Sequence, residues 1–189
     1  MSAEAQFPSL KNHFLLAMPG VSDPLFNHSI TYLCEHGEEG AMGIVINRPL
    51  DIVWRDIFEQ LDIKVSSNGD QQVLAGGPVQ MGRGFVLHPA TSHSWENTLT
   101  IGSGAMLTTS MDIISALAQG KGPANSLMAL GYAGWGAGQL EEELANNFWL
   151  TLPADQQILF DVPLHRKTEA AAQKLGIDLD LLSPVAGHA

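Results

Sequence analysis

Two short β-rich runs, residues 30–36 (ITYLCEH) and 41–47 (AMGIVIN), flank the polar stretch HGEEG at 36–40. So few residues leave room for a hairpin and none for a crossover helix, so this part of the sheet has to be antiparallel. Further apolar runs end at turn signals. Residues 13–18 (HFLLAM) stop at Pro19-Gly20, and residues 73–75 lead into Gly76-Gly77-Pro78. Residues 84–88, 98–101, 126–132, 148–152 and 157–160 also read as strands, and 65–72 as a loop. The period changes at 53–61, where apolar residues at 53, 54, 57, 58 and 61 trace one face of a helix. A second helix is expected from Thr109 or Ser110 through Leu117, with Asp112 in its first turn and Gly120 as its stop. Two more are expected, over 139–146 and over 164–175, the latter ended by Gly176. Hairpin turns outnumber helical crossovers, which predicts an α+β fold with a mainly antiparallel sheet.

The 189 residues suit one domain with a sizeable core, and a 45% hydrophobic content excludes intrinsic disorder. The expected layout is a flexible N-terminus over 1–12, a single domain over 13–182 and a flexible tail over 183–189. A formal charge of −11 repels nucleic-acid phosphates and anionic lipids. The nine basic residues are dispersed, with only Arg166 and Lys167 adjacent. A single cysteine, Cys34, precludes an intrachain disulfide. With neither a visible signal peptide nor an uninterrupted apolar run of membrane length, the expected location is the cytoplasm, with no membrane partner.

The segment GYAGWGAGQLEEEL (131–144) has the strand, glycine-rich turn and helix of a phosphate cradle. Its glycines do not spell G-x-G-x-x-G, because Gln139 stands at the third position, and no Lys-Ser/Thr follows. Three glutamates open the helix and would repel an anion there. Tight strand-to-helix packing is the simpler reading. His28, Cys34, Glu35, His36, Glu38 and Glu39 are potential metal ligands, and on a regular strand Cys34 and His36 share a face. C-x-x-C and H-E-x-x-H are both missing, so no metal and no cofactor is expected. Cys34 beside Glu35 has the electrostatics of an inert thiol, and Gly102-Ser103-Gly104 lacks the spacing of a nucleophile elbow.

The polar ends of the strands remain. Asn47-Arg48-Pro49 closes one, Gly82-Arg83-Gly84 opens another, and His88-Pro89 ends it. Arginines at strand ends are commonly solvated. Converging in a cleft with a histidine, they would clamp a carboxylate or phosphate. The candidate ligand-binding residues are therefore Glu35, His36, Asn47, Arg48, Arg83 and His88.

HFLLAMPG (13–20), DPLFNHSITYLCEHGEEGAMGIVINRP (23–49), GGPVQMGRGFVLHP (76–89) and ALGYAGWGAGQLEEELANNFWL (129–150) together resemble the YqgE/AlgH family of bacterial proteins. The resemblance implies a compact α+β domain whose bifurcated sheet curls into a pseudo-barrel. It brings no catalytic residues. Its AlgH label comes from an association with alginate regulation in pseudomonads, which does not imply contact with DNA. The leading expectation is a non-enzymatic regulatory or adaptor protein that binds a small anionic ligand or a protein partner. The rivals are a hydrolase-like enzyme using His88 or His36, and a direct DNA-binding regulator. The charge and the lack of a recognisable helix-turn-helix count against the last.

Overall fold

The computed structural model describes residues 8–182, so residues 1–7 of the expected flexible N-terminus (1–12) and the expected tail 183–189 lie outside the described residues. In chain order the elements are β1 (His13–Ala17), β2 (Ile30–Gly37), β3 (Gly40–Val45), β4 (Pro49–Val53), α1 (Trp54–Gln60), β5 (Gln72–Ala75) and β6 (Val79–Pro89). There follow β7 (Thr98–Thr100), β8 (Ala105–Thr108), α2 (Met111–Ala118), β9 (Leu127–Gly136), α3 (Gln139–Ala145), β10 (Trp149–Pro153) and α4 (Lys167–Lys174). The main sheet runs β10-β1-β2-β3-β9-β6-β8-β7, and β4 and β5 branch from β9. Every pairing is antiparallel except β5 with β9. The chain is thus an α+β domain with a curled, half-barrel sheet. Residues 9–12 are tied to it: Leu10 N–H donates to His36 Nδ1 (2.8 Å) and Asn12 N–H to the Leu33 carbonyl (2.9 Å).

Strand alternation sorts the side chains. Phe14 and Leu16, Ile30 and Tyr32, Ile44 and Ile46, and Phe85 and Leu87 point into the concave core. The intervening residues face the helices. Leu15, Leu33 and Trp135 pack against Leu140 of α3, and Val73, Val86 and Met128 pack against α1 and α2. The inner core is plugged at one end by the C-terminal segment through Ile158, Leu159, Ala171 and Ala172. Burying large apolar side chains on both faces of one sheet is the main stabilising effect, at about 1.5–3 kcal/mol for each fully buried side chain.

Two local features divide the sheet. At Gly131 (φ +75°) β9 changes parity: Met128 and Leu130 face the α1/α2 side, whereas Ala133 and Trp135 face α3. One extra residue achieves this, as in a β-bulge. The first half of β9 can then pair with β5 and the second half with β3. The glycine-rich stretch expected to be a turn is therefore mostly strand, with only residues 137 and 138 turning into α3. Its glycines allow backbones to approach, since a Cβ on Gly131 would lie 2.3 Å from the Gly77 carbonyl oxygen.

The second correction concerns residues 157–160. They do not form a strand but belong to a π-helical turn, Gln157–Asp161. An apolar run this short buries equally well in either form, so it does not fix the conformation. Polar anchors decide it. Asp155 Oδ1 accepts the Ile158 N–H (3.0 Å), and the buried Lys167 ammonium donates to the carbonyls of Ile158 (2.7 Å) and Leu159 (2.6 Å).

Candidate functional site

The end of the half-barrel away from the C-terminal plug opens into a cleft of about 610 Å³. Its floor is apolar, with Phe85, Leu107 and Tyr132, and its rim carries Glu35, Arg83, Asn97 and Thr109. The Phe85 and Tyr132 rings meet edge to face at 5.7 Å, which stiffens the floor.

Two irregular strands put the charges there. In β2 the register slips between Leu33 (opposite Gly43) and Glu35 (opposite Met42). The bulge leaves Cys34 in the inner core and turns Glu35 towards the cleft. His36 consequently faces α3. The expectation that Cys34 and His36 share a face fails because this one added residue resets the alternation. In β6, Val79 pairs with Tyr132 and the next pair is Gly84 with Leu130, so residues 80–83 form an excursion, with Gln80 at φ +48°. The excursion projects Arg83 over the cleft and leaves Met81 65% exposed.

Arg83 Cζ lies 5.3 Å from the centroid of the Phe85 ring, a cation–π contact. Its other partners are weak: Nη1 donates to Gln80 Oε1 and Nη2 to Thr109 Oγ1, each at 3.4 Å. Among the described residues no carboxylate lies within ion-pair distance of Arg83. Asn97 Nδ2 donates to Thr109 Oγ1 (2.8 Å), fixing both on the same rim.

The remaining sequence-derived candidates lie elsewhere. His36 accepts the Leu10 N–H at Nδ1 and bonds Glu141 at 2.5 Å through Nε2. Desolvation pulls the Glu141 pKa up, but the bond from His36, a backbone bond and the His36 charge together outweigh it and leave the carboxyl below its usual range. Asn47 accepts the Ile30 N–H and donates to the His28 carbonyl and to Thr168. Arg48 donates to the carbonyls of Pro24 and Asn27, clamping the loop between β1 and β2. These contacts give both side chains a structural role. The proposed convergence of Arg48, Arg83, His36 and His88 is thus not seen, and the cleft holds Arg83 and Glu35 alone of the six candidates.

His88 is fully buried at the far end of β6. Nδ1 bonds the Pro89 carbonyl (2.9 Å), which fixes the tautomer, and Nε2 accepts from Thr108 Oγ1 (2.8 Å). Thr108 in turn bonds Thr98 (2.8 Å), so the chain stitches β6, β8 and β7 together. Burial lowers the pKa of His88, against the opposing effect of the Pro89 bond. The unfolded chain binds a proton near pH 6.5 that the folded chain refuses. Stability from this group is therefore complete above about pH 6.5 and falls as the pH drops below it. An NMR titration of the ring is expected to show His88 neutral at pH 6.5, and a midpoint at or above that value contradicts its burial.

Among the described residues no three His, Cys, Asp or Glu side chains gather so that they could hold a metal ion. The Cys34 thiol is pushed well above its ordinary pKa by burial and then by Glu35. No helix among the described residues is long and apolar enough to cross a membrane. Phe85, Asn97, Thr109 and Tyr132 escaped the sequence reading as site residues. Only Thr109 carried a signal, as a possible helix cap.

A family model described as AlgH-like matches residues 14–180. The chain belongs to the AlgH-like family. The chain of this AlgH-like protein is 53% identical over 188 residues to a UPF0301 protein of Saccharophagus degradans, covering 99% of this chain and 92% of that one. It is 51% identical to a UPF0301 protein of Thioalkalivibrio sulfidiphilus, with all of both chains covered. The solution structure of the AlgH protein from Pseudomonas aeruginosa superposes with a TM-score of 0.79 at 49% identity, covering 100% of this chain and 99% of that one. A crystal structure from Corynebacterium diphtheriae, 17% identical, superposes with a TM-score of 0.70 over 94% of this chain and 92% of its own. That distant likeness concerns the AlgH-like fold alone.

Proposed function

We propose that this AlgH-like protein is a regulatory or adaptor protein whose half-barrel mouth binds a small anionic ligand with an apolar body. One observation carries the reading. Arg83, in a chain of net charge −11, overhangs an apolar cleft without a carboxylate partner among the described residues. A guanidinium resting on an aromatic face with donors to spare suits a carboxylate or phosphate. Mouths of β-barrels are common ligand sites, with an apolar lining and a few polar groups that set orientation. Asn97 and Thr109 add neutral hydrogen-bonding groups beside Arg83, and Glu35 on the other wall keeps the anionic end away from it.

A hydrolytic reading has less support, because both ring nitrogens of His36 and of His88 are engaged and neither histidine lines the cleft. The acidic surface disfavours contact with DNA. An influence on transcription would then pass through the ligand or a partner.

Calorimetry with hexanoate, hexyl phosphate and neutral hexanamide tests the reading. The two anions are expected to bind and the amide to fail. Arg83→Ala should weaken anion binding by about 10- to 100-fold, the worth of a lost charge-assisted hydrogen bond. Equal binding of hexanamide, or unchanged affinity in Arg83→Ala, overturns the reading.

A further inference from the structure

β7 forms one border of the sheet, because among the described residues it pairs only with β8. The ladder fixes which of its backbone groups are used. Thr109 N–H donates to the Asn97 carbonyl (3.0 Å) and Ile101 N–H to the Ala105 carbonyl (3.0 Å). In an antiparallel pair the hydrogen-bonded positions alternate, so Asn97, Leu99 and Ile101 face β8. The N–H and C=O groups of Thr98 and Thr100 therefore point away from the sheet, and no backbone bond engages them among the described residues. An unpaired row of this kind is a template for another strand.

This open edge borders the candidate cleft. Leu99 of β7 and Asn97 just before it line the cleft, as do Leu107 of β8 and Thr109 just after it. On the face opposite the cleft, the Thr98 side chain bonds Thr108. A strand added beside β7 would send every second side chain into the cleft, over Leu99 and Leu107 and towards Arg83. Its main chain would meet Thr98 and Thr100.

We infer that the occupant of the cleft is an extended segment of a partner polypeptide, docked on the β7 edge with an acidic side chain directed to Arg83. The inference rests on the anion-binding reading of the same cleft and adds the class of ligand. The backbone row selects an extended chain, the apolar floor selects an aliphatic residue two positions from the acidic one, and the guanidinium selects the carboxylate. Met81, 65% exposed on the excursion that carries Arg83, gives the segment further apolar surface beyond the rim.

The test uses a capped peptide, acetyl-Val-Thr-Glu-Thr-Val-amide, whose valines share the face of its one carboxylate, a side chain, alongside hexanoate. Thr100→Pro removes an N–H that faces outward and leaves the β8 ladder whole, a substitution that edge strands tolerate. It is expected to weaken the peptide by at least about tenfold, the loss of one main-chain bond with the proline ring in the way, and to leave hexanoate binding unchanged. Arg83→Gln should weaken both ligands. In the wild-type protein, the Thr98 and Thr100 amides should gain protection from hydrogen exchange when peptide is added, a readout independent of how well Thr100→Pro folds. If hexanoate binds and the peptide does not, or Thr100→Pro holds the peptide as well as wild type, the docking inference fails and the anion site stands. If neither ligand binds, both fail. Protection of Thr98 and Thr100 that rises with protein concentration alone assigns the edge to a second copy of this chain and overturns the peptide. A terminal-carboxylate peptide, acetyl-Thr-Val-Val, that outcompetes the capped one overturns the acidic side chain.

Discussion

Alanine at Gly77 is expected to remove a large share of the protein's stability. Gly77 has φ +155°, and a Cβ there would lie 2.1 Å from the carbonyl carbon of Tyr132, 2.2 Å from its oxygen and 2.3 Å from the Ala133 nitrogen. All three are backbone atoms of β9, the strand at which the sheet divides, so no side chain can swing aside. Relief requires β9 to part from the chain entering β6, where Val79 pairs with Tyr132. The expected loss is about 4 kcal/mol or more, at the diagnostic end of point substitutions and a large share of a typical domain's stability. In a domain of this size that lowers Tm by about 8–16 °C. Gly82→Ala is the matched control, because a Cβ there meets nothing within 4 Å. It should stay within about 0.5 kcal/mol of wild type in urea denaturation. A Gly77→Ala protein that melts within about 2 °C of wild type refutes the close approach.

The second large effect comes from Lys167. Its ammonium is buried, with donors committed to the carbonyls of Ile158 and Leu159, so it holds the π-helical turn against the inner core. Truncation to alanine orphans both acceptors, at about 1–3 kcal/mol each, and leaves a void where the stem packed. Relief from burying a charge offsets part of this, and a net loss of about 2–4 kcal/mol is expected. The pH dependence identifies the cause. Desolvation by burial lowers the Lys167 pKa from 10.5 to about 8, although Asp161 opposes it. Between those two values the unfolded chain holds a proton that the folded chain has released, so this group makes stability rise with pH from about 8 to 10.5. Burial moves the pKa of Tyr32 and of Cys34 upward, so these two groups oppose that rise once the unfolded chain begins to lose their protons. The difference between wild type and Lys167→Ala cancels their contribution. Its expected form is a penalty for the variant that grows as pH rises from 8 towards 10.5. A penalty independent of pH across that range contradicts a buried ammonium.

What was legible in the sequence follows from period and punctuation. The hairpin of β2 and β3, the helix at 54–60 and the stops at Pro19-Gly20 and Gly120 can each be read from adjacent residues. The two parity changes cannot. A bulge at Cys34 moves one residue relative to the other arm of its own hairpin, and one at Gly131 relative to strands far away in sequence; in neither case does the apolar alternation record the shift. The candidate residues dispersed for the same reason. Glu35 and His36 are neighbours, yet the bulge sends one to the cleft and the other to α3. Arg48 and Arg83 have the same strand-end context, yet Arg48 finds two carbonyls in the loop between β1 and β2 and Arg83 finds an aromatic ring. A charge's role depends on which partners the fold brings within reach: the carbonyls that Arg48 bonds lie 24 and 21 residues away, and the ring of Phe85, near Arg83 in sequence, comes under it only through the excursion in β6. The short strands β4 and β8 were also missed, being too brief to show alternation.

The side-chain Nε–H resonance of Arg83, followed by NMR as hexanoate is added, examines the anion site most directly. A saturable shift of that signal, with the Asn97 and Thr109 amides moving at the same midpoint, is the predicted result. A resonance that stays in place while hexanoate binds elsewhere, or does not bind at all, would contradict it.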